Sequence, residues 1–268
     1  MNQINLKHFL DETIILSIQA GGEILKIYDT DFEIDTKDDQ SPLTAADLAS
    51  HHCLVAGLEK LSPALPILSE ESSQIPYSER QQWDTYWLLD PLDGTKEFIK
   101  RNGEFTVNVA LIQNNRPILG VVYVPVSGIC YSAAQGLGAW KQLKNQQPEK
   151  IKVRKQAIKP FTVVGSRSHK TEELSSYLER LGPHELVSMG SSLKLCLVAE
   201  GKADLYPRIG LTSEWDTAAS QCVVEQAGGK VTDLQGKTLT YNAKEEYLNP
   251  YFLVFGDHSH DWTGYTSS

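Results

Sequence analysis

The chain has 268 residues, 41% of them apolar, and a formal charge of −9. That length buries one large core or two lobes of about 100–150 residues, and the apolar fraction excludes a disordered chain. The negative balance argues against nucleic acid or an acidic membrane surface as partner, since both repel it. Cys53, Cys130, Cys196 and Cys222 form no C-x-x-C pair and sit among mostly apolar neighbours. Buried, reduced thiols in a cytoplasmic protein are the expectation. The first residues carry no basic region followed by an apolar run, and no segment approaches roughly 18 unbroken apolar residues. A soluble, unsecreted chain without an integral membrane segment is expected; oligomeric state is not legible.

In chain order, Leu6, Leu10, Ile14, Ile18, Leu25 and Tyr28 share a helical face with Gly21, which predicts a helix over 4–28. The Gly21-Gly22 pair suggests close approach to another helix. A weak strand at 32–36 and a polar loop at 37–42 follow. A second helix over 44–61, capped by Thr44, is expected to bury Leu48, Val55, Leu58 and Leu61, with Asp47 in its first turn. Residues 66–71 read as a strand running into Glu70 and Glu71. The apolar run 86–89 reads as a buried strand ending in Asp90 and Asp93. Pro91 between them cannot donate a ladder hydrogen bond and is expected to mark where the sheet stops. Gly94 permits a tight turn, and 95–99 starts a helix. Segments 105–113, 118–125 and 128–134 predict consecutive antiparallel strands, with a hairpin edge at 136–140.

A polar, basic stretch at 144–159 reads as strand plus linker. Beyond it strands at 161–164, 186–189 and 204–207 alternate with helices at 171–181, 193–200 and 214–226. The last of these helices carries Asp216 in its first turn, and 230–232 and 250–256 close the sheet. The first half is thus helices with an antiparallel sheet, and the second an α/β lobe. The expected division is 1–155, carrying most of the acids, and 156–268, carrying Asp216 and the loops that choose the substrate. No internal repeat or low-complexity tract interrupts it.

Glu70, Asp90, Asp93 and Asp216 all fall at the ends of elements, with Asp47 in a first helical turn. Singly each has an ordinary explanation: Asp-Pro-x-Asp-Gly is most often a surface turn, and adjacent glutamates a solvated face. Together they suit a hard cation that takes oxygen ligands at about 2.0–2.1 Å and keeps room for phosphate oxygens. Two such ions, roughly 3.5–4 Å apart, activate a water on one side of a phosphoester and stabilise the leaving oxygen on the other. The free N–H groups of the helix that starts after Gly94 offer an anion cradle.

The segments Asp90-Pro91-Leu92-Asp93-Gly94-Thr95 and Trp215-Asp216-Thr217-Ala218-Ala219 resemble the two signatures of the inositol monophosphatase superfamily. Its members are magnesium-dependent, lithium-sensitive phosphatases. Ser69-Glu70-Glu71 and Asp39-x-Ser41-x-x-Thr44-x-x-Asp47 stand upstream in the same order, so the similarity covers essentially the whole chain. Within the superfamily, residues 96–108 and 190–196 resemble the bacterial 3′(2′),5′-bisphosphate nucleotidases. Leu92 stands where many relatives have Ile or Val, but the family uses its carbonyl, which any residue supplies.

The resemblance implies a layered αβαβα sandwich with metals between the lobes. It implies conversion of 3′-phosphoadenosine 5′-phosphate to AMP and phosphate, in sulfate assimilation and nucleotide recycling. Glu70, Asp90 and the Leu92 carbonyl would hold one Mg2+ and the attacking water. Asp90, Asp93 and Asp216 would hold a second, a third ion being an open option. Thr95, oriented by Asp47, would help deprotonate the water, so Asp47, Thr95 and Glu70 are the catalytic candidates. Glu70, Leu92, Asp93, Gly94, Thr95 and Asp216 would contact substrate, and Glu71 has a role only by analogy with adjacent-acid motifs. His169, Ser191, Lys194 and Arg208 would form a second phosphate pocket, where singly each reads as a surface residue. A location in the cytoplasm, or peripheral on the cytoplasmic face of the inner membrane, is the family's. The alternatives are an inositol or sugar phosphatase, and a catalytically silent anion-binding regulatory homologue.

Overall fold

The computed structural model describes residues 4–28, 30, 34–36, 42–61, 63–165 and 171–266, without the side chains of 34–36 and 42–44. The first part comprises α1 (Leu6–Tyr28), a small antiparallel pair β1 (Ile34–Thr36) and β2 (Pro42–Thr44), α2 (Ala45–Leu58), β3 (Ile67–Ser69) and α3 (Tyr77–Arg80). It continues with β4 (Thr85–Asp93), α4 (Thr95–Ile99), β5 (Thr106–Gln113), β6 (Arg116–Val124), β7 (Ile129–Ala134), β8 (Gly138–Gln142) and β9 (Glu149–Lys150). Then come β10 (Phe161–Gly165), α5 (Glu172–Leu181), β11 (His184–Ser188), α6 (Leu193–Ala199) and β12 (Leu205–Arg208). Last are α7 (Glu214–Gln226), β13 (Lys230–Asp233) and β14 (Phe252–Phe255). The motif residues Asp39 and Ser41, the loop 166–170 with His169, and the Thr44 cap lie outside the described residues or side chains.

Strands β3 to β9 form a seven-stranded sheet in sequence order, in which only β3 and β4 run parallel. The second sheet has the order β11-β10-β12-β14-β13, parallel across its first three strands and antiparallel beyond. Helices α1 and α2 cover one face of the large sheet, and α6 and α7 fill the space between the sheets. Helix α5 packs with Phe161, Leu253 and Trp262 on the far face of the second sheet. The result is a mixed α/β protein in five layers, alternately helix and sheet. Because both faces of the large sheet are covered, Tyr86 to Leu89 and Val107 to Ile112 are buried almost without interruption. Among the described residues no helix is long and apolar enough to cross a membrane. All four cysteines are free, three of them buried.

Several expectations need correction. The sheet does not stop at Pro91: β4 runs on to Asp93 through a register shift between Asp90 and Asp93. Gly21 does not meet a helix; a Cβ there would lie 2.4 Å from the Tyr123 ring and 3.3 Å from Pro125, so α1 is pressed on the sheet. The close helix–helix approach occurs at Gly57, where a Cβ would lie 2.1 Å from Leu16. Ile18 and Leu48 are exposed and Val55 and Leu61 half-buried; α2 buries Leu58 as expected, together with Ala46, Ser50 and Leu54. Small residues at i and i+4 let the helix sit closer than a stripe of large side chains would allow. β11 starts at His184, ahead of the apolar run, because backbone pairing with Phe161 begins there. As an edge strand it leaves Leu186 and Val187 exposed.

One contact decides where α7 lies. A Cβ on Gly120 of β6 would fall 2.2 Å from the Ala219 carbonyl oxygen of α7, a backbone atom that no rotamer change can move aside. Gly120→Ala is therefore expected to lower stability by about 1–3 kcal/mol through overpacking. It should also cut activity by shifting Asp216, which rides on the same helix. Thermal unfolding and initial rates measured together check this; a wild-type melting temperature would contradict it.

Candidate active site

Asp90 and Asp93 are three residues apart, so on a regular strand their side chains would project to opposite faces. The pairing removes that problem. Asp90 lies opposite Asn108 and Asp93 opposite Thr106, three steps on β4 against two on β5. The extra residue is a β-bulge, and it turns both carboxylates to one side. Pro91 sits inside the bulge, where no ladder N–H is required of it. Its carbonyl is satisfied by the Ser50 hydroxyl of α2, which donates at 2.7 Å.

Asp216 arrives from the other side, at the third position of α7, where its Oδ2 accepts the Ser213 N–H at 2.9 Å. A carboxylate N-terminal to a helix core is favoured there by the unsatisfied N–H groups and the helix dipole. One oxygen from each of Asp90, Asp93 and Asp216 lies within 4.8 Å of the others. Glu70 opens a 3-10 turn just after β3, whose Ser69 pairs with Leu89 of β4, so Glu70 comes abreast of Asp90. The Ser69 hydroxyl is 2.9 Å from His51 Nδ1. Asp47 is fully buried on α2, with its charge felt at Asp90. The Thr95 hydroxyl lies 3.5 Å from the Leu92 carbonyl oxygen, and Gly94 makes the turn with φ of 91°.

This arrangement is electrostatically costly on its own. Burial, and then Glu70, Asp93, Asp216 and Asp47, hold the Asp90 carboxyl well above the usual carboxylate range. Burial, Asp93 and Glu70 do the same to Asp216. Asp93 is also raised by burial, but Lys194 and hydrogen bonds from Ser192, Asn108 and Thr106 pull it back. Converging carboxylates with one backbone carbonyl and no thiolate form a donor set for a hard divalent cation. A cation would offset the repulsion, so the residues present fit a hard divalent cation of the magnesium kind.

Beside the acids lies a second group of residues. The turn 190–192 is held at both ends: the Gly190 N–H donates to Glu104 Oε2 at 2.7 Å, and the Ser192 N–H to Asp93 Oδ2 at 2.5 Å. Between them Ser191 takes the left-handed conformation with φ of 45°, and its carbonyl accepts from Lys194 Nζ at 2.6 Å. Lys194 is 8% exposed. Burial pulls its ammonium down to about 8, opposed by Asp93 and Asp216 and reinforced by Arg208. Arg208 on β12 donates to the Leu211 carbonyl at 2.7 Å, and its charge is felt at the buried Tyr206 hydroxyl. Ser191 Oγ and Arg208 Nε are buried without a hydrogen-bond partner among the described residues. Both atoms are donors of the kind an anion uses.

The structure therefore gathers Glu70, Asp90, Asp93 and Asp216, with Asp47, Leu92, Gly94 and Thr95 around them and Lys194 and Arg208 within electrostatic reach. The sequence reading assigned no role to Asn108, Thr106, Ser192, Glu104 or Tyr206, none of which is a signature acid. One signal was available: Thr106 and Asn108 are polar at strand spacing in an otherwise apolar run.

An inositol monophosphatase family model matches residues 5–256 of the chain. The 3′(2′),5′-bisphosphate nucleotidase CysQ of Escherichia coli (strain K12) is 53% identical over 251 residues, spanning 91% of this chain and 98% of that protein. The protein of the same name from Haemophilus influenzae is 36% identical over 257 residues, 96% of each chain. The crystal structure of CysQ from Bacteroides thetaiotaomicron superposes with a TM-score of 0.83 at 42% identity, over 96% of this chain and all of that one. A Thermotoga maritima IMPase shares the fold at 24% identity, with a TM-score of 0.79.

Proposed function

This chain belongs to the inositol monophosphatase family, and we propose that within it the protein is a 3′(2′),5′-bisphosphate nucleotidase. Its reaction is hydrolysis of the 3′-phosphate of 3′-phosphoadenosine 5′-phosphate, giving AMP and phosphate. The observation that carries this reading is Lys194, buried yet within electrostatic reach of both Asp93 and Asp216. A cation held beside an acidic cluster suits a substrate that brings a second phosphate group. The named nucleotidases that the chain resembles over nearly its whole length support the same choice.

Glu70, Asp90, Asp93, Asp216 and the Leu92 carbonyl would hold two magnesium ions, or three, which supply activation of a water and neutralisation of the leaving ribose oxygen. The chain's own groups do the rest. Thr95, oriented by Asp47, would help deprotonate the attacking water, its hydroxyl passing its own proton to the Asp47 carboxylate as it takes the water's. The N–H groups of Gly94 and Thr95, without a hydrogen-bond partner among the described residues at the start of α4, hold the scissile phosphate. Ser191, Lys194 and Arg208, with His169, hold the 5′-phosphate. Since no histidine lies among the motif acids, proton removal falls to these oxygen groups. The same proposal takes 1–155 and 156–268 as the two lobes that meet at the site. It includes lithium sensitivity and a cytoplasmic place in sulfate assimilation.

The test is phosphate release with magnesium from 3′-phosphoadenosine 5′-phosphate and from inositol 1-phosphate, each with and without millimolar lithium. A lithium-sensitive preference for the nucleotide is expected. Preference for inositol phosphate would keep the acidic cluster and discard the second phosphate pocket, and hydrolysis of neither would remove the enzymatic reading.

A further inference from the structure

Three buried polar side chains next to Asp93 have no role in the chemistry described so far. Thr106, Asn108 and Ser192 are 0%, 1% and 2% exposed. Asn108 Nδ2 and Thr106 Oγ1 each lie 3.4 Å from Asp93 Oδ2, the oxygen that also accepts the Ser192 N–H at 2.5 Å. Ser192 Oγ donates to Asn108 Oδ1 at 2.9 Å and lies 2.8 Å from Thr106 Oγ1. These contacts close a ring. The Asn108 amide gives its NH2 to Asp93 and its carbonyl to the Ser192 hydroxyl, and the Ser192 backbone returns to Asp93. A flipped amide would face the carboxylate with an oxygen and lose the bond to Asp93, whereas the Ser192 hydroxyl can meet either end of the amide.

We infer that Asn108 is a positioning residue: it fixes Asp93 so that Oδ2 is committed to the protein and Oδ1 is left to a divalent cation. The inference rests on reading Asp93 as a metal ligand. Its physical basis is general, because a ligating carboxylate held by hydrogen bonds loses less orientational freedom when it binds, and removing such partners weakens metal affinity by about 10–100-fold. Placement adds to the case. Asn108 sits directly opposite Asp90 in the β4–β5 ladder and Thr106 opposite Asp93, so β5 supports both carboxylates of the bulge.

The ring also has a consequence for the substrate. Ser192 ends the turn that holds Ser191 in its left-handed conformation, and Lys194 donates to that turn. The group that orients Asp93 therefore also fixes the turn of the second phosphate pocket. Residues 84 apart in sequence are joined by the Asn108–Ser192 bond, one on the large sheet and one ahead of α6.

The experiment is direct titration of the protein with Mn2+, followed by the electron paramagnetic resonance of the free ion and without substrate. It compares wild type with N108A, S192A and the double variant. N108A should weaken binding tenfold or more, and S192A less, since it keeps its backbone N–H. The double variant should fall well short of the two single effects combined, because the Ser192 hydroxyl acts mainly through the amide it bonds, with Thr106 as its other neighbour. Unchanged Mn2+ affinity in N108A, or effects that simply add, would overturn the inference. If N108A does not fold, N108S replaces it in both the single and double variants, and T106V provides a second folded comparison with the hydroxyl next to Asp93 removed. Because no substrate is present, failure of the nucleotidase reading would show separately, as absent hydrolysis of the bisphosphate by wild type.

Discussion

Asp90→Asn is expected to abolish most phosphate release while leaving the metal-free protein at least as stable as wild type. Asp90 is buried and surrounded by the charges of Glu70, Asp93, Asp216 and Asp47. Its carboxyl titrates above the usual range in the fold, so between the ordinary carboxylate range and that raised range the folded chain binds more protons than the unfolded one. Stability then falls as pH rises toward the raised values, and the cost is relieved as pH falls. An uncharged amide of the same shape removes that cost. It also removes a ligand that the proposed mechanism needs, and the loss of several kcal/mol of transition-state stabilisation is roughly 10³-fold or more in kcat. Thermal unfolding with and without magnesium separates the two effects. Wild type should gain melting temperature from the ion and the variant should gain little. A variant that keeps both its activity and its magnesium-induced shift would contradict the assignment of the acidic cluster.

Lys194→Met is expected to raise KM for the bisphosphate by about 10–100-fold with kcat much less changed, the cost of a charge-assisted hydrogen bond to a group remote from the reacting phosphorus. The same substitution should leave adenosine 3′-phosphate, which lacks the second phosphate, nearly unaffected. Lys194 also predicts a pH dependence. Burial lowers its ammonium to about 8, so below that pH the free protein presents a charged group, and above it an amine that must take up a proton when an anion binds. KM for the bisphosphate should therefore rise as pH increases past about 8, approaching tenfold per unit. Lys194→Arg, which stays charged, should flatten that rise even if its overall affinity differs. Equal pH profiles for the lysine and arginine forms would show that this residue does not meet the substrate's anion.

Most of the elements were legible because their cues are local. α7 could be read from Asp216 in its first turn, and the antiparallel run β5 to β8 from short apolar strands and polar turns. Helix faces were read less well: Ile18 and Leu48 are apolar and exposed, whereas the small residues Ala46 and Ser50 are buried. Size misled there, since a helix pressed on a sheet buries its small residues. The bulge at Pro91 shows a different limit. Two aspartates three apart suggest a shared site, but only the register against β5 explains how they come to one face. The ring of Asp93, Asn108 and Ser192 was beyond reach for a third reason. Its members are distant in sequence, and two are neutral side chains whose importance comes from what they hold.

The most direct test of the central claim, that an acidic metal cluster is paired with a second phosphate pocket, is the ratio of kcat/KM for 3′-phosphoadenosine 5′-phosphate to that for adenosine 3′-phosphate with magnesium. The two substrates share the scissile phosphate and the nucleoside and differ only in the group assigned to Ser191, Lys194 and Arg208. A ratio on the order of 10² or higher is predicted from two or more charge-assisted contacts at about 1.5–3 kcal/mol each. A ratio near one would contradict the pocket and leave this chain a family phosphatase that does not read a second phosphate.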